Sequence, residues 1–130
     1  MKKTWWQAPA VAYTLLIFLL SSIHQSEIPQ LHFRLLDKWV HFVEFGIYAG
    51  LLNLAFRVSN RIGLSQKARI WALSWAAIYA ALDELHQLYV PGRDCAFADY
   101  AADIAGIAIG LLIYHLLEKR GFFRNIYEIE

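Results

Sequence analysis

The feature that most constrains the fold of this chain is an unbroken apolar run at residues 15–20. No polar side chain interrupts it, so it does not show the alternation expected of a half-buried strand. The run lies within a longer apolar segment at about residues 7–23. A membrane helix needs roughly 17–25 mainly apolar residues. We therefore predict a retained transmembrane helix, with Trp5 and Trp6 as interface anchors, rather than a cleaved signal peptide.

Three further apolar segments follow, at about residues 39–56, 68–90 and 98–117. Of the 130 residues, 58% are hydrophobic and 18% are charged, whereas typical soluble domains carry about 25% charged residues. Lipid offers no hydrogen-bonding partners to the backbone, so apolar membrane segments of this kind must be helical. The sequence therefore predicts an all-α fold, with residues 1–130 forming a single domain built as a bundle of four transmembrane helices.

Composition also excludes several kinds of site. The single cysteine, Cys95, leaves no intrachain disulfide and no cysteine-based zinc site. The net charge of +1 does not suggest a nucleic-acid-binding protein.

The basic residues divide unevenly between the two ends of the predicted bundle. With the N-terminus inside, nine Lys and Arg residues flank the inner ends and three flank the outer ends. Cytoplasmic flanks normally carry such an excess. Both termini are therefore predicted to be cytoplasmic. The acids divide the other way, with eight on the outer side and three on the inner side.

Polar and ionisable side chains recur at the outer ends of the second, third and fourth predicted helices. Spacings of three or four residues place them on one face of each helix. Charged groups in a membrane are costly unless paired or hydrated, so they should face the bundle interior. Glu44, Asp83 and Asp103 lie about five to seven residues from the outer ends, or roughly 8–11 Å deep. The sequence predicts one outward-opening binding pocket formed by Asp37, Lys38, His41, Glu44, Asp83, Glu84, Gln87, Arg93, Asp99 and Asp103.

Small residues repeat at every fourth position on the same three helices. Such stripes allow helices to approach closely in a membrane. The predicted packing positions are Gly46, Gly50, Ala72, Ala76, Ala80, Ala98, Ala102, Gly106 and Gly110.

Four short motifs around these helices occur in a distinctive order. They read D-K-x-x-H-F from Asp37, D-E-x-x-Q from Asp83, P-x-R from Pro91 and D-x-x-x-D-x-x-G from Asp99. In this order they resemble the VanZ-like family over about residues 36–112. The resemblance implies a bacterial plasma-membrane protein with a role in the cell envelope. The family name derives from resistance to teicoplanin, a glycopeptide antibiotic.

One position departs from the pattern of the family, which usually has asparagine where this chain has Asp103. An asparagine both donates and accepts hydrogen bonds, whereas an ionised aspartate only accepts them. Asp103 is therefore expected to be protonated, or to pair with Arg93 or Lys38.

The polar residues leave two classes of function open. A non-catalytic module would bind a membrane lipid, an envelope precursor or a glycopeptide-type ligand. A membrane-embedded hydrolase or transferase would act on a lipid-linked envelope precursor, with His41 as general acid or base. The candidate catalytic residues are His41, Glu44, Asp83 and Glu84. A purely structural alternative is a salt-bridge network in which Lys38 and Arg93 neutralise the acids.

Metal and nucleophile chemistry are less strongly indicated by the sequence. Histidine with carboxylates suits zinc, manganese or magnesium, but no strict ligand motif such as H-E-x-x-H is present. No cofactor is predicted, with a divalent metal ion as the alternative. A nucleophilic site is not indicated, because Cys95 is expected outside the predicted pocket and Ser21, Ser22 and Ser26 lie in a different segment. Arg93 is expected to fold back over the bundle and pair with the acids of the neighbouring helices.

Overall fold

The fold is known from a computed structural model that describes residues 3–23, 34–93 and 95–127. All regular structure within these ranges is helical, which confirms the predicted all-α class for this part of the protein. A 3₁₀ turn at Lys3–Gln7 leads into the first helix. The helices are α1 (Ala8–Ser21), α2 (Arg34–Arg57), α3 (Ile62–Gln66), α4 (Ala68–Gln87), α5 (Phe97–Lys119) and α6 (Arg124–Tyr127).

The ends of the helices differ from those predicted. Helix α2 begins at Arg34 rather than near residue 39, because a helix can continue through polar residues beyond the apolar core of a membrane. Helix α4 ends at Gln87 rather than near residue 90. The amides of Tyr89 and Val90 bond to carbonyls three residues earlier, which tightens the backbone into a turn. Gly92 then takes a φ of 80°, a conformation that favours glycine.

Within the described ranges, two helical segments are long and apolar enough to cross a membrane, Asp37–Arg57 and Phe97–Lys119. The N-terminal stretch Trp5–Ser21 is apolar but shorter. Helix α4 also turns apolar side chains outward, among them Leu73, Ile78 and Leu82, while Asp83 on the same helix is buried. Outward apolar and inward polar side chains are the arrangement that a lipid surrounding favours.

Helix α2 occupies the centre of the molecule and packs against α1, α4 and α5. On its α4 side, Phe45 and Tyr48 are fully buried, and so are Ala72, Ala76 and Ala80 of α4. The alanines therefore form the close-packed face that their spacing predicted.

The α2–α5 contact depends on glycine. A Cβ atom added to Gly106 would lie 2.0 Å from the carbonyl oxygen of Phe42, and one added to Gly110 would lie 2.1 Å from the carbonyl oxygen of Gly46. Gly50, in contrast, has nothing within 4 Å of its Cβ position. A Cβ on Gly46 would lie 3.0 Å from the Gly106 carbonyl oxygen, so the predicted close packing is present at Gly46, Gly106 and Gly110, whereas the Gly50 position is open.

The end of the bundle nearer the C-terminus has its own polar contacts. Arg57 of α2 pairs with Glu118 of α5 at 3.2 Å, and the Tyr127 hydroxyl donates to the same carboxylate at 3.0 Å. Arg69 and His115 approach within 2.8 Å. These contacts lie far along the helices from the acids of the opposite end, which form the candidate site.

Candidate functional site

His41 connects three helices at the acid-rich end of the bundle. Its Nδ1 lies 3.1 Å from Oδ1 of Asp103 on α5 and 3.9 Å from Oε1 of Glu84 on α4. His41 is 5% exposed, Glu84 is 4% exposed and Asp103 is fully buried. Residues from α2, α4 and α5 that are far apart in sequence thus meet around one imidazole.

Asp83 and Glu84 are held from the α4 side of this group. The Gln87 side-chain amide donates to Oδ2 of Asp83 at 3.2 Å, one helical turn away. The backbone N–H of Ala96, which precedes α5, donates to Oε2 of Glu84 at 2.9 Å. Each carboxylate therefore has one oxygen fixed by a hydrogen bond.

Lys38 forms the outer edge of the group by pairing with Asp99 of α5. Asp37, one residue earlier, is exposed, but a carboxylate oxygen of it lies within 4.8 Å of ligand atoms of His41 and Asp99. Glu44, one turn below His41, is half-buried and interacts electrostatically with Asp83, Asp103 and Arg93. The polar cluster is defined here as these ten residues: Asp37, Lys38, His41, Glu44, Asp83, Glu84, Gln87, Arg93, Asp99 and Asp103.

The ion pairs of the polar cluster differ from those expected for its two cations. Among the described residues, Arg93 makes no ion pair with Asp83, Glu84 or Asp99. The pairing cation for Asp99 is Lys38 instead. Asp103 likewise contacts His41 rather than Arg93 or Lys38. Helical spacing identifies the face on which a side chain lies, but it does not fix how far one helix is shifted or rotated against the next.

Three buried polar atoms of the polar cluster have no hydrogen-bond partner among the described residues: Nε of Arg93, Oε1 of Glu84 and Oδ2 of Asp103. An unsatisfied buried polar atom costs about 1–3 kcal/mol. Native proteins contain few such atoms, so each one needs an explanation. One explanation for three of them at one end of a bundle is a ligand that supplies the missing partners.

Ser21 and Cys95 lie beside acids of the polar cluster, and Ser22 contacts a neighbouring histidine of α4. Ser21 is buried beside Asp83, and Oγ of Ser22 lies 3.0 Å from Nε2 of His86 on α4. These two serines lie on a different segment from the acids, at the end of α1, and the fold brings that end against α4. Ser26 falls outside the described residues. The sequence feature that could have indicated this contact with α4 is a pair of serines at the polar end of an otherwise apolar helix.

Cys95 is exposed, and its thiol lies beside Glu84. Partial desolvation and the negative charge of Glu84 raise the pKa of Cys95. Because only the thiolate is nucleophilic, a raised pKa does not support Cys95 as a catalytic nucleophile.

An apolar groove of about 380 Å³ runs along α2 and α5. Its lining begins at Phe42, next to His41, and at Gly106, one turn from Asp103, and it ends near Tyr114 and Phe123. Gly50 forms part of its floor. The groove therefore starts at the depth of the polar cluster and continues along the apolar part of the same two helices.

The chemistry available to the polar cluster follows from its donors. Arg93 is a permanent cation whose Nε–H has no acceptor among the described residues, and a guanidinium suits a phosphate or carboxylate. The acids and His41 offer oxygen and nitrogen donors that suit a metal ion or an ammonium group. His41 with Asp103 also has the arrangement in which a carboxylate orients an imidazole for proton transfer.

Comparison with known proteins identifies a family for this chain. The family model described as VanZ/LLP1 matches residues 2–118. No curated protein and no solved structure matches the sequence.

Proposed function

This chain belongs to the VanZ/LLP1 family, and we propose that it is a multi-pass protein of the bacterial plasma membrane that binds an envelope lipid at the polar cluster. Membership of the family and the two membrane-capable helices support a membrane location. We extend this to four spanning helices, since α4 presents apolar side chains outward and Trp5–Ser21 is a further apolar stretch.

The observation that carries the binding function is the buried Nε of Arg93, which has no hydrogen-bond partner in the described part of the protein. A buried guanidinium N–H without an acceptor is costly, and a planar guanidinium gains most from a bidentate anion such as phosphate. The head group would meet Arg93, and the hydrocarbon tail would lie in the apolar groove whose lining includes Gly50. If the protein has a role in teicoplanin resistance, we propose that the polar cluster binds a glycopeptide-type ligand.

Native mass spectrometry of the protein purified in mild detergent tests lipid binding. We expect about one phosphate-bearing lipid retained per protein molecule, and at least about tenfold lower occupancy for Arg93→Ala, because a charge-assisted bidentate contact is worth more than about 1.4 kcal/mol. Arg93→Lys should recover only part of the binding, since lysine lacks the planar fork.

Lys119→Ala is the matched control for this experiment, because Lys119 is an exposed cation at the opposite end of α5. It should retain as much lipid as the unsubstituted protein. Equal retention by Arg93→Ala and Lys119→Ala would contradict the proposed site. Growth of the same variants with teicoplanin is the cellular measurement for the resistance role.

The proposed orientation has both termini in the cytoplasm, as the excess of basic residues at one end favours. We expect a membrane-impermeant maleimide to label Cys95 in intact cells. In a Cys95→Ser background, Ser59→Cys, between α2 and α3, should stay unlabelled until the cells are opened. Labelling is run at about pH 8.5, because the raised pKa of Cys95 lowers its thiolate fraction at neutral pH. Labelling of position 59 from outside would contradict the proposed orientation and indicate the opposite one.

The alternative function is a hydrolase or transferase acting on a lipid-linked envelope precursor. The contact of 3.1 Å between His41 and Asp103 favours it, since Asp103 could orient the imidazole as a general base. Incubation with a lipid-linked precursor distinguishes the two functions. Turnover that His41→Gln abolishes without loss of lipid binding would identify an enzyme, whereas binding without turnover supports the binding module.

A further inference from the structure

We propose that the polar cluster contains a site for one divalent transition-metal ion, with His41, Asp83 and Glu84 as ligands. Each residue offers one ligand atom, and these three atoms lie within 4.8 Å of one another. All three side chains are buried, at 5%, 6% and 4% exposure. A small inward movement of the side chains would let all three atoms coordinate the same ion.

Hydrogen bonds hold both carboxylates while leaving oxygen atoms available to an ion. Ala96 N–H occupies Oε2 of Glu84, and the Gln87 amide occupies Oδ2 of Asp83. Oε1 of Glu84 has no hydrogen-bond partner among the described residues. Ligands of protein-bound metals are commonly oriented by such additional hydrogen bonds. The arrangement therefore prepares two carboxylates for coordination.

Asp103 is a separate indication of a cation at this place. Its Oδ1 lies 3.1 Å from Nδ1 of His41, while its Oδ2 is buried and has no hydrogen-bond partner in the described part of the protein. Asp103 is fully buried. An acceptor without a donor, placed against one of the three ligands, is the environment that a nearby positive ion would satisfy.

The charges around His41 also favour a bound cation. Three buried acids, Asp83, Glu84 and Asp103, face one imidazole, while Lys38 is paired with Asp99. Buried carboxylates without a compensating charge are strongly disfavoured in a low-dielectric surrounding. A divalent cation would supply two positive charges to these acids, whereas the imidazole supplies at most one.

The donor set indicates the class of ion. One imidazole nitrogen with carboxylate oxygens suits Zn²⁺ or Mn²⁺, whereas Mg²⁺ and Ca²⁺ prefer oxygen donors alone. A second group, Asp37, His41 and Asp99, also has ligand atoms within 4.8 Å of one another. In that group Asp37 is exposed and Asp99 is already paired with Lys38, so it is the weaker of the two.

Such an ion would change which ligands the polar cluster can take, a consequence that rests on the proposed function. The side chains alone make this end of the bundle acid-rich, which opposes an anionic head group. A bound Zn²⁺ or Mn²⁺ would give the site a second positive centre beside Arg93. The two together could hold a phosphate group.

Metal retention by delipidated protein in detergent tests the proposal. The protein is treated with EDTA, incubated with Zn²⁺ or Mn²⁺, desalted and assayed by elemental analysis, with electron paramagnetic resonance for Mn²⁺. We expect about one ion per protein molecule and a higher unfolding temperature with the ion than without it. Glu84→Gln and Asp83→Asn should each weaken binding by at least about tenfold and abolish the temperature shift.

The controls separate the proposed site from the other acids. Glu118→Gln, at the opposite end of α5, and Asp37→Asn should both retain the ion. Circular dichroism and gel filtration establish that each variant is folded. If Glu84→Gln does not fold, the stoichiometry and temperature shift of the unsubstituted protein, together with Asp83→Asn, still decide the question.

Absence of both metal retention and a temperature shift in the unsubstituted protein would overturn the proposal. Loss of the ion in Asp37→Asn with retention in Glu84→Gln would also overturn the proposal. That result would place the ion at Asp37, His41 and Asp99 instead. Because no lipid is present, failure of metal binding leaves the lipid experiment intact, and the reverse also holds.

Discussion

Gly106→Ala should destabilise the protein by about 3 kcal/mol or more, at the upper end of the range for overpacking. The added Cβ would lie 2.0 Å from the carbonyl oxygen of Phe42. Because that oxygen belongs to the backbone of α2, no side-chain rotation can relieve the clash, and α2 and α5 must move apart. The measurement is the free energy of unfolding in mixed detergent micelles, with helicity followed by circular dichroism.

Gly50→Ala is the matched control, since it adds the same methyl group to a glycine of α2 that has nothing within 4 Å of its Cβ position. Its effect should be less than about 1 kcal/mol in either direction, and alanine favours the helix. Gly110→Ala should behave like Gly106→Ala, because its Cβ would lie 2.1 Å from the Gly46 carbonyl oxygen. Similar stabilities for Gly50→Ala and Gly106→Ala would contradict the close α2–α5 packing.

His41→Leu should also have a large effect, a loss of about 3–5 kcal/mol, as expected when one partner of a buried charged pair is removed. The change leaves Asp103 and Glu84 buried without the imidazole that lies 3.1 Å and 3.9 Å from their oxygens. Unfolding is measured in the presence of EDTA, so that loss of a bound ion does not contribute to the difference.

His115→Leu provides the comparison for His41→Leu. His115 is half-exposed and contacts Arg69 near the other end of the bundle, so its loss should cost less than about 1 kcal/mol. The double variant His41→Leu, Asp103→Leu should be more stable than the sum of the two single changes predicts, since it removes both partners. Strict additivity would show that His41 and Asp103 do not interact.

Much of the fold could be predicted because it depends on local patterns. Apolar segments long enough for a membrane located the four main helices, and four-residue repeats of small side chains identified the packed faces of α4 and α5. The exact ends could not be predicted in this way. Leu88 and Val90 are apolar enough to extend α4, but the backbone turns there to reach Gly92.

The candidate site was predictable as a set of residues but not as a set of pairs. The spacings placed His41, Asp83 and Asp103 on inward faces of three helices, and all three residues are buried. Pairing depends on the offset and rotation of one helix against the next, which residue spacing within a helix does not define. For this reason the expected pairing of Arg93 was wrong, and the approach of Ser22 to His86 was missed.

A crystal structure of the protein grown in a lipidic mesophase, with anomalous data collected after soaking with Mn²⁺, tests the ligand site most directly. We expect density for a polar head group contacting the Arg93 guanidinium, and the acids of α2, α4 and α5 gathered around His41. Three observations together would contradict this account: Arg93 paired with Asp83 or Glu84, the Glu44 side chain in lipid, and no ligand density between the helices.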